Sequence, residues 1–191
     1  MAQTNLLEVD WSKIPAPTDD GTATHLVGMT IPPISLVATD DTTVTLSALS
    51  GRTVVFGYPC TGEPGKIALV DDWDMIPGAR GCTPQTCAFR DLFAELKAAG
   101  AAHVFGLSTQ SNVYQAEMAA RLHLPFAVLS DEKLALTRAL NLPTMQVAGL
   151  TLIKRLALIV DDARITHVFY PVFPPDRNAG DVLAWLKENP V

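Results

Sequence analysis

Thr53-Val54-Val55-Phe56-Gly57-Tyr58 is the stretch that decides the fold. It is rich in β-branched and aromatic residues and has no polar alternation, which is typical of a central strand buried on both faces. Two later runs have the same character, Val104-Phe105-Gly106-Leu107 and Phe126-Ala127-Val128-Leu129. Buried runs that alternate with helical segments, followed by a hairpin and a final helix, predict a mixed sheet between helices.

Apolar residues at helical spacing follow each of these runs. Residues 84–99 predict an amphipathic helix that Gly100 ends, and a second helix is predicted over about 112–122. A short helix ends near Asn141. A last helix, for which Asn178 is the predicted N-cap, carries apolar residues on one face.

Further strands are predicted at both ends of this core. Residues 156–160 and 165–170 form two strands around the turn Asp161-Asp162-Ala163. Residues 29–46 hold two short strands and a turn, preceded by an extended lead-in over 1–27. The whole order predicts the α/β class: a central mixed β-sheet flanked by helices, in the thioredoxin-like arrangement, with an amino-terminal hairpin extension.

Length and charge limit the function classes. The 191 residues suit one domain, 1–191, and 14 basic against 20 acidic residues leave no footprint for nucleic acid or an anionic membrane. The most apolar stretch, 147–160, is interrupted by Lys154 and Arg155, so no membrane span is expected. The first residues lack the basic start and apolar run of a signal peptide, so we expect a cytoplasmic location.

The chain has three cysteines, which do not suit a structural disulfide framework. Cys82 and Cys87 form a close pair after an irregular segment, residues 59–81, which we interpret as an active-site loop. A zinc site would need two more ligands, and the four histidines show no ligand spacing. We therefore expect neither a metal nor another cofactor.

A cysteine at the start of a helix suits redox chemistry. The free amide groups there favour the thiolate, which attacks a peroxide to give a sulfenic acid, and a nearby thiol can condense with that acid. Two residues five apart in a helix lie roughly 140° apart with Cα atoms near 8 Å. A disulfide needs Cα atoms within about 7 Å. If both cysteines are helical, we therefore predict that the first turn unwinds on oxidation.

Two alternatives stay open on the residues alone. Both cysteines could be small buried hydrophobes, as most free cysteines are. In addition, Thr83 as N-cap and Pro84 at the first helical position would place Cys87, rather than Cys82, in the first turn.

Several segments resemble the peroxiredoxins, most closely the Q-type (bacterioferritin-comigratory) branch. The resemblance begins near Val27 and covers about three quarters of the chain. Its segments are Cys82-Thr83-Pro84-Gln85-Thr86-Cys87-Ala88-Phe89-Arg90-Asp91, Gly106-Leu107-Ser108, Leu124-Pro125-Phe126-Ala127-Val128-Leu129-Ser130-Asp131 and Arg155-Leu156-Ala157-Leu158-Ile159-Val160-Asp161.

The resemblance implies a thiol-dependent reductase of hydrogen peroxide or small organic hydroperoxides. Cys82 would be the peroxidatic cysteine, Cys87 the resolving one, and Arg155 the guanidinium that stabilises the thiolate and polarises the peroxide. Lys154 competes on charge, but alternation places it on the opposite face. Thioredoxin or a similar dithiol donor would reduce the Cys82–Cys87 disulfide, and a homodimer is a family-level expectation. The alternatives are a protein thiol–disulfide oxidoreductase and a redox sensor.

The active-site loop departs from the family pattern. The family's threonine, three residues before the peroxidatic cysteine, is replaced by Ala79, and its proline by Met75. Thr83 or Thr61 would have to supply the missing hydroxyl. Cys60 is interpreted as an incidental loop thiol, with a third redox role as the alternative.

Overall fold

A mixed seven-stranded sheet forms the centre of the protein. The computed structural model describes residues 9–65 and 68–191. The sheet has the order β2-β1-β5-β4-β3-β8-β9. Its strands are β1 (Ser35–Ala38), β2 (Thr43–Thr45), β3 (Arg52–Gly57), β4 (His103–Ser108), β5 (Val128–Ser130), β8 (Leu156–Asp161) and β9 (Arg164–Phe169), while β6 (Thr144–Val147) and β7 (Leu150–Ile153) form a separate hairpin.

The pairing confirms the predicted thioredoxin-like arrangement. The strand β3 pairs in parallel with β4, which pairs in parallel with β5. On the other side of β3, the strands β8 and β9 are antiparallel. The predicted amino-terminal hairpin is formed by β1 and β2, and β1 joins the sheet antiparallel to β5. The interpretation of 53–58 as the central strand is therefore right, because β3 has a neighbour on each side.

Five α-helices cover this sheet in the described part of the chain. They are α1 (Cys82–Asp91), α2 (Phe93–Ala98), α3 (Asn112–Arg121), α4 (Ala135–Leu140) and α5 (Asn178–Glu188). The prediction of a single helix over 84–99 is wrong in two respects. The observed helix α1 begins at Cys82, and α1 and α2 are separated at Leu92, whose φ of −98° and ψ of 11° lie outside the helical range. No glycine or proline marks that position, so tertiary packing decides the break.

Two apolar clusters cover the sheet, one on each face. Alternate strand residues enter different apolar clusters, as Val54 and Val55 do. Helices α1, α2, α3 and α5 pack on the first face, where the ring of Phe56 stacks on Phe89 with centroids 4.0 Å apart. Helix α4 and the residues before β1 pack on the second face.

Two further predictions need correction. Asn178 does not cap the last helix; it is the first residue of α5, the N-cap is Arg177, and no side-chain cap bond forms. The hairpin of β6 and β7 was not predicted at all. Both residues of its turn, Ala148 and Gly149, are left-handed, with φ of 50° and 77°. Alanine rarely adopts this conformation, so the sequence does not indicate the turn.

The lead-in and the loop are largely irregular. Residues 9–27 contain one short 3-10 helix, Trp11–Lys13, and Leu26 is fully buried in the second apolar cluster. Residues 1–8 lie outside the described residues. The loop over 59–81 holds one 3-10 helix, Trp73–Met75, in its described part. Within the described ranges, no helix is both long enough and apolar enough to cross a membrane.

Candidate active site

Cys82 is the first residue of α1, at the carboxyl end of the irregular loop. The preceding Gly81 is the N-cap and has a φ of 105°, which a residue with a side chain rarely adopts. A Cβ at this glycine would lie 2.6 Å from Pro175 and 2.7 Å from the ring of Trp11. Glycine is therefore required for the chain to turn into α1 with Cys82 in its first turn.

The guanidinium of Arg155 holds the thiol and the loop together. Its Nη2 donates to Sγ of Cys82 at 3.3 Å. The same nitrogen donates to the carbonyl oxygens of Gly78, Ala79 and Arg80 at 3.2, 3.1 and 3.0 Å. Cys82 and Arg155 are 3% and 2% exposed. A charge-assisted contact in so dry a place stabilises a thiolate far more than it would in water.

Lys154 takes no part in this contact. Its ammonium forms an ion pair with Asp20, and Tyr170 donates to the same carboxylate at 2.8 Å. The hydrogen bond from Lys154 and, after it, those from the hydroxyl groups of Thr22 and Tyr170 hold the pKa of Asp20 far below its usual range. The two neighbouring cations therefore have different partners, although both lie in the turn between β7 and β8, where strand alternation does not apply.

Gln85 is a site residue to which sequence reasoning assigned no role. Its Oε1 accepts from Nη1 of Arg155, and its Nε2 donates to Oδ1 of Asn178 at 2.9 Å. All three side chains are buried. Gln85 follows Cys82 by three residues and so shares its helix face, which is the signal that would have found it. Asn178, predicted as a cap, instead ties α5 to the site.

The loop before Cys82 has no hydroxyl at position 79, where the resemblance led us to expect a threonine. Ala79 is fully buried, and its carbonyl oxygen accepts from both Arg155 and, at 3.5 Å, Sγ of Cys82. Thr61 and Thr83 both line the cleft beside Cys82. The hydroxyl of Thr61 donates to Gln110 at 3.1 Å. Thr83 directly follows Cys82 in α1 and is buried.

Cys87 lies in the second turn of the same helix. The alternative with Thr83 as N-cap is therefore wrong, because the helix already begins at Cys82 and Thr83 is its second residue. Cys87 is buried, and burial raises the pKa of its thiol, while the charge of Arg90 partly offsets this. The five-residue separation within one helix is the geometry for which a disulfide requires unwinding.

A cleft of about 830 Å³ opens beside Cys82. Its walls come from the loop before α1, the segment after β4 and the β6–β7 hairpin, and this volume suits a small organic ligand. Within the described ranges, no cluster of histidine, cysteine or carboxylate side chains suits a metal ion. The site presents a thiol at a helix start, a guanidinium bonded to its sulfur and a second thiol one and a half turns away.

The fold and this site together define a thiol-based redox protein of the thioredoxin-like class. A family model described as redoxin matches residues 26–183. Chloroplastic peroxiredoxin Q of Sedum lineare is 31% identical over 162 residues, which cover 84% of this chain and 77% of that protein. The corresponding protein of Triticum aestivum is 30% identical over 177 residues, with 88% and 73% covered.

Solved structures agree with this. Peroxidoxin BcpB from Mycobacterium tuberculosis is 25% identical with a TM-score of 0.69, covering 86% of this chain and 98% of that one. Peroxiredoxin Q of Xanthomonas campestris is also 25% identical, with a TM-score of 0.65 and coverage of 82% and 90%. The chain therefore belongs to the peroxiredoxin family, in its Q-type branch, and is a thiol-dependent peroxidase.

Proposed function

We propose that Cys82 is the peroxidatic cysteine and that Cys87 resolves it. The Cys82 thiolate attacks the hydroperoxide, forming a sulfenic acid and releasing water or an alcohol. Cys87 then condenses with the sulfenic acid, which forms the Cys82–Cys87 disulfide and releases a second water. The observation that carries the proposal is the contact between Arg155 and Sγ of Cys82, since no comparable contact to Cys87 is described.

Each side chain has one task in this scheme. Arg155 stabilises the thiolate and the negative charge that develops on the peroxide oxygens. The Gly78–Arg80 carbonyl groups and Gln85 hold the guanidinium in place. Cys87 stays protonated in the folded helix because burial raises its pKa, so it reacts only after α1 opens.

The partners follow from the family at a coarser level. The substrate is a hydroperoxide, and a thioredoxin-like dithiol protein regenerates the reduced enzyme by exchange. Bacterioferritin comigratory protein of Xanthomonas campestris, a structural neighbour at 23% identity, reduces alkyl peroxides. We propose hydrogen peroxide and small organic hydroperoxides as substrates, with thioredoxin as the reductant.

The proposal extends to the domain organisation, the oligomeric state and the cellular location of the protein. We propose one domain over 1–191, a cytoplasmic location and a homodimer. The plant relatives are chloroplastic, so the location calls for its own measurement, by fractionation of the cells that make the protein.

Peroxide consumption coupled to a thioredoxin system tests the roles. We expect Cys82→Ser to lose all turnover and all oxidation by peroxide. We expect Cys87→Ser to keep the first oxidation by peroxide, because its sulfenic acid forms on Cys82 without any part played by Cys87. The assignment is overturned if the first oxidation is lost in Cys87→Ser and kept in Cys82→Ser.

One observation favours a redox sensor as the second candidate. Ala79 replaces the hydroxyl that the family places next to the peroxide, so a step of peroxide activation could be slow. A sensor would be oxidised by peroxide yet show no sustained turnover when thioredoxin is supplied. A protein thiol–disulfide oxidoreductase would instead reduce insulin with negligible peroxide turnover.

A further inference from the structure

Cys60 lies in the same cleft as Cys82. It follows β3 by three residues, is partly buried and packs against the apolar cluster of Trp73, Ala79, Val147 and Leu152. Both Cys60 and Cys82 line the cleft, whereas Cys87 does not. Cys60 and Cys82 therefore border the same cleft. Cys82 and Cys87, by contrast, are separated by more than one turn of α1.

The two thiols also influence each other electrostatically. Burial first, and then the charge of Cys82, raise the pKa of Cys60 to about 12. A thiol with so high a pKa is protonated and does not attack peroxide, so Cys60 is silent in the reduced enzyme.

Oxidation of Cys82 changes this situation. The sulfenic acid that forms on Cys82 is an electrophile, and a thiol that lines the same cleft can condense with it. Cys60 lies outside α1, so its approach to Cys82 does not require two positions of one helix to meet. Resolution by Cys87 instead requires α1 to unwind.

We propose that Cys60 is a second resolving cysteine, which captures the Cys82 sulfenic acid across the cleft while α1 stays folded. The S–H of Cys60 and the S–OH of Cys82 are replaced by one S–S bond and one water, with the hydroperoxide as the oxidant. This route protects Cys82 from further oxidation to a sulfinic acid when Cys87 has not reached it. The inference rests on the proposed function of Cys82.

Tryptic digestion distinguishes the two disulfides. Cleavage after Lys66 and Arg80 places Cys60 in peptide 53–66 and both other cysteines in peptide 81–90. A Cys82–Cys87 bond therefore stays within one peptide, whereas a Cys60–Cys82 bond joins two. The experiment treats Cys87→Ser with one equivalent of hydrogen peroxide, blocks free thiols with a maleimide and identifies the linked peptides by mass spectrometry.

We expect peptides 53–66 and 81–90 to be joined within one Cys87→Ser molecule. We expect the link to be lost in Cys60→Ser/Cys87→Ser, in which dimedone labels the persisting sulfenic acid. The double variant Cys60→Ala/Cys87→Ala repeats this control with a different replacement residue. Circular dichroism checks that each variant is folded. Equal dimedone labelling with and without Cys60, or a link found only between two molecules on a non-reducing gel, would refute the inference.

The two proposals fail in different ways. If Cys82→Ser still consumes peroxide, the proposed function is wrong. If Cys87→Ser consumes one equivalent of peroxide without the cross-link, the role of Cys82 stands and only the role of Cys60 is wrong.

Discussion

At the scale of single residues, the contact between Arg155 and Cys82 concentrates the chemistry. One guanidinium reaches the sulfur, three loop carbonyl oxygens and Gln85 at the same time. Only a planar fork with several fixed donors serves so many acceptors without moving. Its Nε is buried without a described partner, which adds to the cost of keeping this side chain away from water.

Arg155→Lys tests this geometry. A lysine keeps the charge but loses the fork, so it cannot hold the loop and the thiolate together. We expect kcat/KM for hydrogen peroxide to fall by about 10²-fold, in line with the loss of one preorganised donor. The measurement is the initial rate of peroxide consumption. Lys154→Arg is the matched control, because Lys154 pairs with Asp20 outside the site; equal losses in the two variants would contradict the assignment.

At the scale of elements, the start of α1 carries the site. Gly81 turns the loop into the helix with a backbone conformation that excludes a side chain, and Pro175 and Trp11 close the space above it. The position of Cys82 therefore depends on contacts from both ends of the chain.

We expect Gly81→Ala to lower the free energy of unfolding by about 2 kcal/mol or more, because both the strain and the clash must be relieved. Urea unfolding measures this value. Gly180→Ala is the control, since that glycine lies within α5 with no atom near its Cβ position, and alanine suits a helix interior. If the two variants are equally stable, the argument from Gly81 is wrong.

If Cys87 resolves Cys82 as proposed, the same helix opens during the catalytic cycle. We predict that amides of α1, Cys82–Asp91, exchange faster with solvent in the peroxide-treated enzyme than in the reduced enzyme. Hydrogen exchange followed by mass spectrometry measures this, with α3 as the internal reference. Cys82→Ser should show no change on the same treatment. Unchanged protection of α1 in the oxidised wild-type enzyme would refute unwinding.

At the scale of the whole molecule, the outer edge of the sheet is tied to the last helix. Arg52 in β3 binds Asp161 in β8 and lies over the ring of Trp185 from α5, on which His167 from β9 also stacks. Burial lowers the pKa of His167 below its ordinary value of 6.5. The hydrogen bond from Arg52 lowers the pKa of Asp161.

Both shifts predict lower stability in acid. For His167 the unfolded chain takes up a proton more readily than the folded one, so stability falls as pH drops through 6.5 towards the folded pKa. We expect His167→Phe, which keeps a ring on Trp185, to lose less stability than the wild type between neutral pH and about 5. Urea midpoints at several pH values measure this; equal losses would contradict it.

Much of this protein could be determined from the sequence alone. Continuous apolar runs specified β3, β4 and β8 because burial on both faces leaves no room for polar alternation. The amino-terminal hairpin followed from its turn residues. The close spacing of Cys82 and Cys87 indicated thiol redox chemistry, whereas a role for Arg155 came only from the resemblance to the peroxiredoxins.

Tertiary structure alone decided the rest. The break at Leu92, the β6–β7 hairpin and the replacement of a cap by the Asn178–Gln85 bond depend on packing between elements far apart in sequence, which local propensity does not encode. The loop over 59–81 is the clearest case. Its composition predicted irregularity, but only the fold shows that its carbonyl groups serve Arg155 and that Cys60 lines the same cleft as Cys82.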